Sequence, residues 1–193
     1  MSDRYVETPR LYLRLMELSD LDDLLKIFGN AKVMASFDTV PFNHKQMEHW
    51  IERNLAHQDT HGYGLFSVML NSNETLIGDC GLEHMEIGAE FVTELGYDSR
   101  SDYWNQGFAT EAALAVRDYA FNVLSLPSLI SLIRVGNEAS KCVSEKIGMQ
   151  LIDEITNNGI CYWRYGTDSR SSRHVRSNLT SCCSGLFDFT QSR

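Results

Sequence analysis

The chain predicts a mixed α/β domain in which a mostly antiparallel sheet of about seven strands is flanked by helices. Three observations carry that prediction. Apolar residues alternate with others in short runs bounded by turn residues, as half-buried strands require. Longer runs with apolar residues at helical spacing follow helix-start signals at Ser19, Asn43 and Asn137. Between Leu65 and Tyr97 three strand-like segments follow one another through short polar turns, which is the pattern of an antiparallel meander.

The elements read as follows. Arg10 to Met16 places Leu11, Leu13 and Leu15 on one strand face. Ser19 stands before a helix with Asp20, Asp22 and Asp23 in its first turn and Gly29-Asn30 at its end. A short helix is expected over 31–35. Asn43 caps another that runs through Leu55, with Met47, Trp50, Ile51 and Leu55 on one face. Leu65–Leu70, Thr75–His84 and Glu90–Tyr97 form the meander. A helix begins near Thr110 and reaches about Leu124, with a stripe of Ala112, Ala115, Val116, Tyr119, Ala120 and Val123. Ser128–Val135 is a strand and Glu138–Lys146 a helix that Asn137 caps and Gly148 ends. A last hairpin, Gln150–Thr156 with Gly159–Tyr165, turns at Asn157-Asn-Gly159, a strong turn signal.

With 193 residues the chain is read as one domain spanning 7–166, followed by a Ser-rich, poorly ordered tail over 167–193. Apolar content is 43% and charged content 22%, both ordinary for a globular protein. No apolar run reaches the roughly 20 residues needed to cross a bilayer, and the N-terminus has no apolar leader. Five cysteines, an odd number without a pairing pattern, suit a reduced, cytoplasmic setting. The six histidines are scattered along the chain and are expected to hold no metal. The net charge is −9; the tail carries four Arg and two Asp, which leaves −11 on the first 166 residues. That balance excludes non-specific nucleic-acid binding. An acidic body steers cationic substrates, and it also serves solubility alone.

The chain is organised around Glu94 to Ala112: a strand carrying a carboxylate, a polar loop, then Gly107 and Ala109 ahead of a long helix. Small residues at a helix start leave backbone N–H groups open beside the positive end of the helix dipole, and together these make an anion site. No Gly-Lys-Ser/Thr follows the glycine, so a phosphate-binding loop of the nucleotide-hydrolase kind is excluded.

Four segments, Glu7-Thr-Pro-Arg-Leu-Tyr-Leu-Arg14, Glu94-Leu-Gly-Tyr97, Tyr103-Trp-Asn-Gln-Gly-Phe-Ala-Thr-Glu-Ala112 and Asn137-Glu-Ala-Ser-Lys-Cys-Val-Ser-Glu-Lys-Ile-Gly-Met149, occur in this order. Together with the element order they resemble the GNAT superfamily of acetyl-CoA-dependent N-acetyltransferases, and within it the RimJ/RimL-like branch. The resemblance covers roughly residues 7–166. It departs from the superfamily loop [Arg/Gln]-x-x-Gly-x-[Gly/Ala] at Trp104, so the loop is expected to rely on backbone N–H groups.

The resemblance implies acetyl-CoA as co-substrate, no metal, and transfer to a primary amine by direct attack in a ternary complex. It implies Glu94 as general base, against the plainer reading of a strand glutamate paired with a cation. It implies Ser144 as the hydroxyl that serves the leaving sulfur, where many relatives carry tyrosine, against a solvent-facing helix serine. Cofactor contacts fall on Leu95 and Tyr97, through backbone groups, on Gln106, Gly107, Phe108, Ala109 and Thr110 at the pyrophosphate, and on Asn137, Ser140 and Lys141. The partner is an amine-bearing small molecule or a protein N-terminus, with no nucleic acid or membrane, and the chain is a monomer or homodimer. Trp50, Tyr162 and Trp163 read as packing aromatics. The other function class that the residues leave open is a non-catalytic coenzyme A-binding or protein-interaction module on the same fold.

Overall fold

A computed structural model describes residues 4–157 and 159–170. Its elements are β1 (Arg4–Glu7), β2 (Leu11–Leu15), α1 (Leu21–Phe28), α2 (Ala31–Met34), α3 (His44–His61), β3 (Leu65–Leu70), β4 (Leu76–Ile87) and β5 (Glu90–Ser99). They continue with α4 (Phe108–Asn122), β6 (Ser128–Arg134), α5 (Glu138–Lys146), β7 (Gln150–Asn157) and β8 (Ile160–Asp168). Short 3₁₀ turns at Leu18–Asp20, Ala35–Phe37 and Ser101–Tyr103 link them.

All eight strands join one sheet in the order β1-β2-β3-β4-β5-β6-β8-β7. Every neighbour pair is antiparallel except β5 with β6, which is parallel. The predicted mixed, mostly antiparallel sheet flanked by helices is therefore present, with one strand more than the seven expected. The extra strand is β1, whose residues are exposed apart from Val6 and so carry no alternation signal. At the centre of the meander, a Cβ on Gly81 would lie 2.2 Å from the Gly64 carbonyl oxygen and 2.5 Å from Leu65 Cα. Only glycine allows β3 and β4 to approach so closely.

The sheet is covered on both faces. On one, Leu11, Leu13, Phe66, Val68, Leu82 and Leu95 pack against Ala112, Ala113, Val116 and Ala120 of α4. On the other, Tyr12, Leu65, Met69 and Leu76 pack against Leu24, Ile27 and Phe28 of α1 and Met47 and Ile51 of α3. These two packed layers use the periodicities that the sequence displays.

Several local expectations change. Ser19 is not a helix N-cap; it lies inside the first 3₁₀ turn, and Glu17 caps that turn through a capping box with Asp20. Asp20 turns inward, accepts from Arg14 Nη1 at 2.8 Å and from Ser67 Oγ at 2.7 Å, and is 4% exposed. The helix capped by Asn43 continues past Leu55 to His61, because nothing breaks it before Gly62. Val123 does not belong to the buried stripe of α4; it lies beyond the last helical residue and is 65% exposed. β8 runs to Asp168, two residues past the expected end of the domain. The rest of the expected tail, from 171, lies outside the described residues.

Candidate active site

The parallel pair β5–β6 registers only at Glu94 with Ile130. Beyond that point the strands part, and Ser131 Oγ bridges the opening by donating to the Leu95 carbonyl at 2.7 Å. A groove therefore opens along the C-terminal half of β5. At its lower end Asn105 and Gly107 adopt left-handed backbone conformations (φ 61° and 80°), and they curl the chain into α4. The first intrahelical bond is made by the Glu111 N–H to the Gly107 carbonyl, at 3.0 Å. The N–H groups of Phe108, Ala109 and Thr110 precede it and have no intrahelical acceptor. They line a cavity of about 410 Å³ with Gly107, Tyr97, Asn137, Ser140, Cys142 and Val143. Three open N–H groups at the positive end of a 15-residue helix fit an anionic group, and Phe108 and Val143 fit an apolar arm.

The loop is braced from behind. Arg10 Nε donates to Glu111 Oε2 at 2.6 Å, and Arg10 Nη1 donates to the Gln106 carbonyl at 3.0 Å. Its guanidinium carbon lies 4.3 Å from the centre of the Phe108 ring. Thr8 Oγ1 also donates to Glu111, at 2.7 Å. Trp104, in place of the usual Arg or Gln, donates from Nε1 to the Ser99 carbonyl at 3.0 Å and ties the loop to the end of β5.

A second cavity, of about 510 Å³, adjoins the first and shares Ser36, Tyr97, Asp98, Asn137 and Ser140 with it. Four carboxylates line it: Asp79 and Glu83 of β4, and Glu94 and Asp98 of β5. Cross-strand register pairs Asp79 with Asp98 and Glu83 with Glu94, so all four project from one face of the sheet. Glu94 is 9% exposed and accepts from the Leu132 N–H at 3.2 Å. Burial, then repulsion from Glu83, pushes its carboxyl up to about 8, and the Leu132 bond only partly offsets this. Burial and Glu83 likewise raise Asp98 to about 7.

The profile of the Acetyltransferase (GNAT) domain matches residues 10–150. The chain belongs to the GNAT acetyltransferase family. It is 32% identical over 142 residues to the uncharacterized protein YkkB of Bacillus subtilis (strain 168), covering 74% of this chain and 83% of that one. Among solved structures, an acetyltransferase from Agrobacterium tumefaciens str. C58 superposes with a TM-score of 0.73 at 27% identity, over 86% of this chain and 95% of that one. The fold alone is shared with a ribosomal L7/L12 α-N-protein acetyltransferase, RimL: TM-score 0.72 at 15% identity, over 87% and 95% of the two chains.

For a GNAT chain, most residues singled out from the sequence converge. Glu94 and Leu95 line the second cavity, Gly107, Phe108, Ala109 and Thr110 the first, and Tyr97, Asn137 and Ser140 line both. Asn137 also caps α5, with Oδ1 accepting from the Ser140 N–H at 3.1 Å. Three residues sit differently. Gln106 is turned back, its side chain donating to the Asp102 carbonyl at 3.2 Å and its own carbonyl held by Arg10. Lys141 Nζ lies 5.2 Å from the centre of the Trp163 ring and pairs with Glu138 at 3.1 Å, away from both cavity walls; Lys146 lines the first cavity instead. Ser144 is fully buried and borders neither cavity.

Tyr97 lines both cavities, and its hydroxyl is the one that Ser144 meets. Its Oη lies 3.0 Å from Ser144 Oγ and donates to the Ser140 carbonyl at 2.7 Å. Burial raises its pKa well above the ordinary phenol value, against the Ser144 bond that lowers it, so the group stays protonated. The sequence reading gave Tyr97 a backbone role only. Neither Tyr97 Oη nor the pair Asp79–Asp98 shows a local motif; their roles depend on which strands become neighbours. Arg10 directly precedes β2, and nothing local marks it as the brace of a loop almost a hundred residues away.

Proposed function

We propose that the chain is an acetyl-CoA-dependent N-acetyltransferase of the RimJ/RimL-like branch that acts by direct attack in a ternary complex. The observation that carries this reading is the continuity of the two cavities through Tyr97, Asp98, Asn137 and Ser140, which sets an anion-binding helix start and a buried, basic Glu94 on one groove. The branch is supported by the four sequence segments and by the likeness of fold to RimL.

Acetyl-CoA, when bound, supplies the acetyl thioester and a thiol leaving group. The N–H groups of Phe108, Ala109 and Thr110 hold its pyrophosphate, and Arg10, paired with Glu111, braces the loop behind them. The opened edge of β5 takes the pantetheine arm as an extra strand would lie. Glu94 takes the proton that the acceptor ammonium must lose; a carboxyl at about 8 is far better matched to that proton than an ordinary glutamate. The C–N bond forms as the C–S bond breaks, and Tyr97 Oη–H supplies the proton for the departing sulfur. Ser144 orients that phenol. The residues lining the second cavity include no cysteine, which favours direct attack over an acetyl-enzyme.

The test is thiol release from acetyl-CoA across a panel of primary amines, beside calorimetric binding of acetyl-CoA. Turnover with at least one amine is expected. Tight binding with no turnover across the panel selects the non-catalytic module instead.

A further inference from the structure

Four carboxylates and two guanidiniums, Arg53 and Arg134, line the second cavity. Arg134 is already engaged: it donates to Asp38 Oδ2 at 2.9 Å and to the Phe37 carbonyl. Arg53 acts on Glu83, whose pKa burial raises and Arg53 lowers. The Asp79–Asp98 end has no such neighbour.

The reason lies in the sheet. Cross-strand register lines up Arg14, Ser67, Asp79 and Asp98 across β2, β3, β4 and β5. Arg14, the cation of that row, spends its guanidinium on Asp20 and on the Leu15 carbonyl. Ser67 Oγ also donates to Asp20, at 2.7 Å. Asp79 is left 2% exposed, and among the described residues nothing hydrogen-bonds its Oδ2. A buried carboxylate oxygen without a donor is costly to keep, and a ligand that brings a donor removes the cost. Among the described residues no group of His, Cys, Asp or Glu is arranged to hold a metal ion. The acids are spread along the strands instead. Glu94 and Asp98 are four residues apart on β5, about 13 Å between their Cα atoms at ordinary strand rise.

We propose that the acceptor carries a second cationic nitrogen, which the Asp79–Asp98 pair holds while the nitrogen to be acetylated lies at Glu94. This deepens the acetyltransferase reading and rests on it. The ligand class is a diamine or polyamine chain, or a sugar bearing more than one amino group. A second ammonium supplies the missing donor at Asp79 and the missing countercharge at Asp98. A monoamine of the same length leaves both unmet. The acidic lining also concentrates dications in the cavity at low ionic strength.

The experiment measures kcat/KM with acetyl-CoA for matched acceptors. A linear arm compares diaminopentane and diaminooctane with pentylamine and octylamine. A cyclic arm compares a diamino sugar with its monoamino counterpart, and the arm with the larger preference identifies the source. The wild-type protein is expected to prefer the dication by at least about tenfold. That ratio is expected to fall by about tenfold in Asp98→Asn and in Asp79→Asn, and to persist in Glu52→Gln, which removes an equal charge from the exposed face of α3. If Asp79→Asn fails to fold, Asp98→Asn and the wild-type ratio still decide. Equal kcat/KM for mono- and diamines, or preference for a peptide α-amine over both, overturns the inference and leaves the acetyltransferase reading standing. Absence of turnover with every amine overturns both.

Discussion

Tyr97 Oη stands 3.0 Å from Ser144 Oγ, and only the tyrosine reaches the groove. In the proposed mechanism the proton for the leaving sulfur comes from β5, with α5 serving as its support. Tyr97→Phe is expected to lower kcat by about tenfold to a hundredfold, the range of general acid catalysis, with a smaller change in KM for acetyl-CoA. Ser144→Ala is expected to cost less, because it removes an orienting bond only. Steady-state kinetics on the two variants check the order; a larger loss in Ser144→Ala returns the role to the serine.

Glu94 works as a base only when ionised. With its carboxyl at about 8, kcat/KM should climb about fivefold from pH 7 to pH 8 and level off above it. Glu94→Gln should lose activity most near and above pH 8 and lose this inflection. An unchanged pH–rate profile in the variant removes Glu94 from the base role.

The same carboxyl sets a dependence of stability on pH. Its folded pKa lies above the ordinary glutamate value, so between about 4.5 and about 8 the folded state holds a proton that the unfolded state has released. Stability from this group is greatest below 4.5 and declines as pH rises through that window. Glu94→Gln is therefore expected to melt higher than wild type at pH 8, with little difference at pH 4.5. Thermal melts at the two values check the sign.

Asp20 shows the opposite behaviour. Burial acts to raise its pKa, but bonds from Arg14, Ser67 and the Glu17 N–H outweigh it and the net shift is downward. Asp20→Asn leaves Arg14 charged and buried without its partner. A loss of about 3–5 kcal/mol is expected, seen as a melting temperature lower by about 10 °C. Chemical denaturation of the variant gives the value directly.

Cys142 is exposed and lines the cavity assigned to acetyl-CoA. Bound acetyl-CoA should slow its alkylation, read by peptide mass spectrometry with exposed Cys161 as the internal reference. Intact mass after incubation with acetyl-CoA and no amine should stay that of the unmodified chain; a stable added acetyl group would instead point to a covalent enzyme form.

Sequence alone determined the elements other than β1 and their order, because strand alternation, helix spacing and capping residues such as Asn43 and Asn137 are local signals. It also marked the loop at Gly107, since small residues at a helix start leave N–H groups open beside the positive end of the helix dipole. Ser19 was misassigned because an inward-turning Asp20 with Arg14 and Ser67 as partners looks locally like any acidic first turn. What the tertiary structure decided were relations between distant segments. Arg10 reaches Glu111, Tyr97 stands in front of Ser144, and Asp79 comes to lie beside Asp98 with its row's cation already spent. These depend on strand register and on which faces are buried, and burial is what turns four ordinary carboxylates into groups of raised pKa. No stretch of neighbouring residues encodes that.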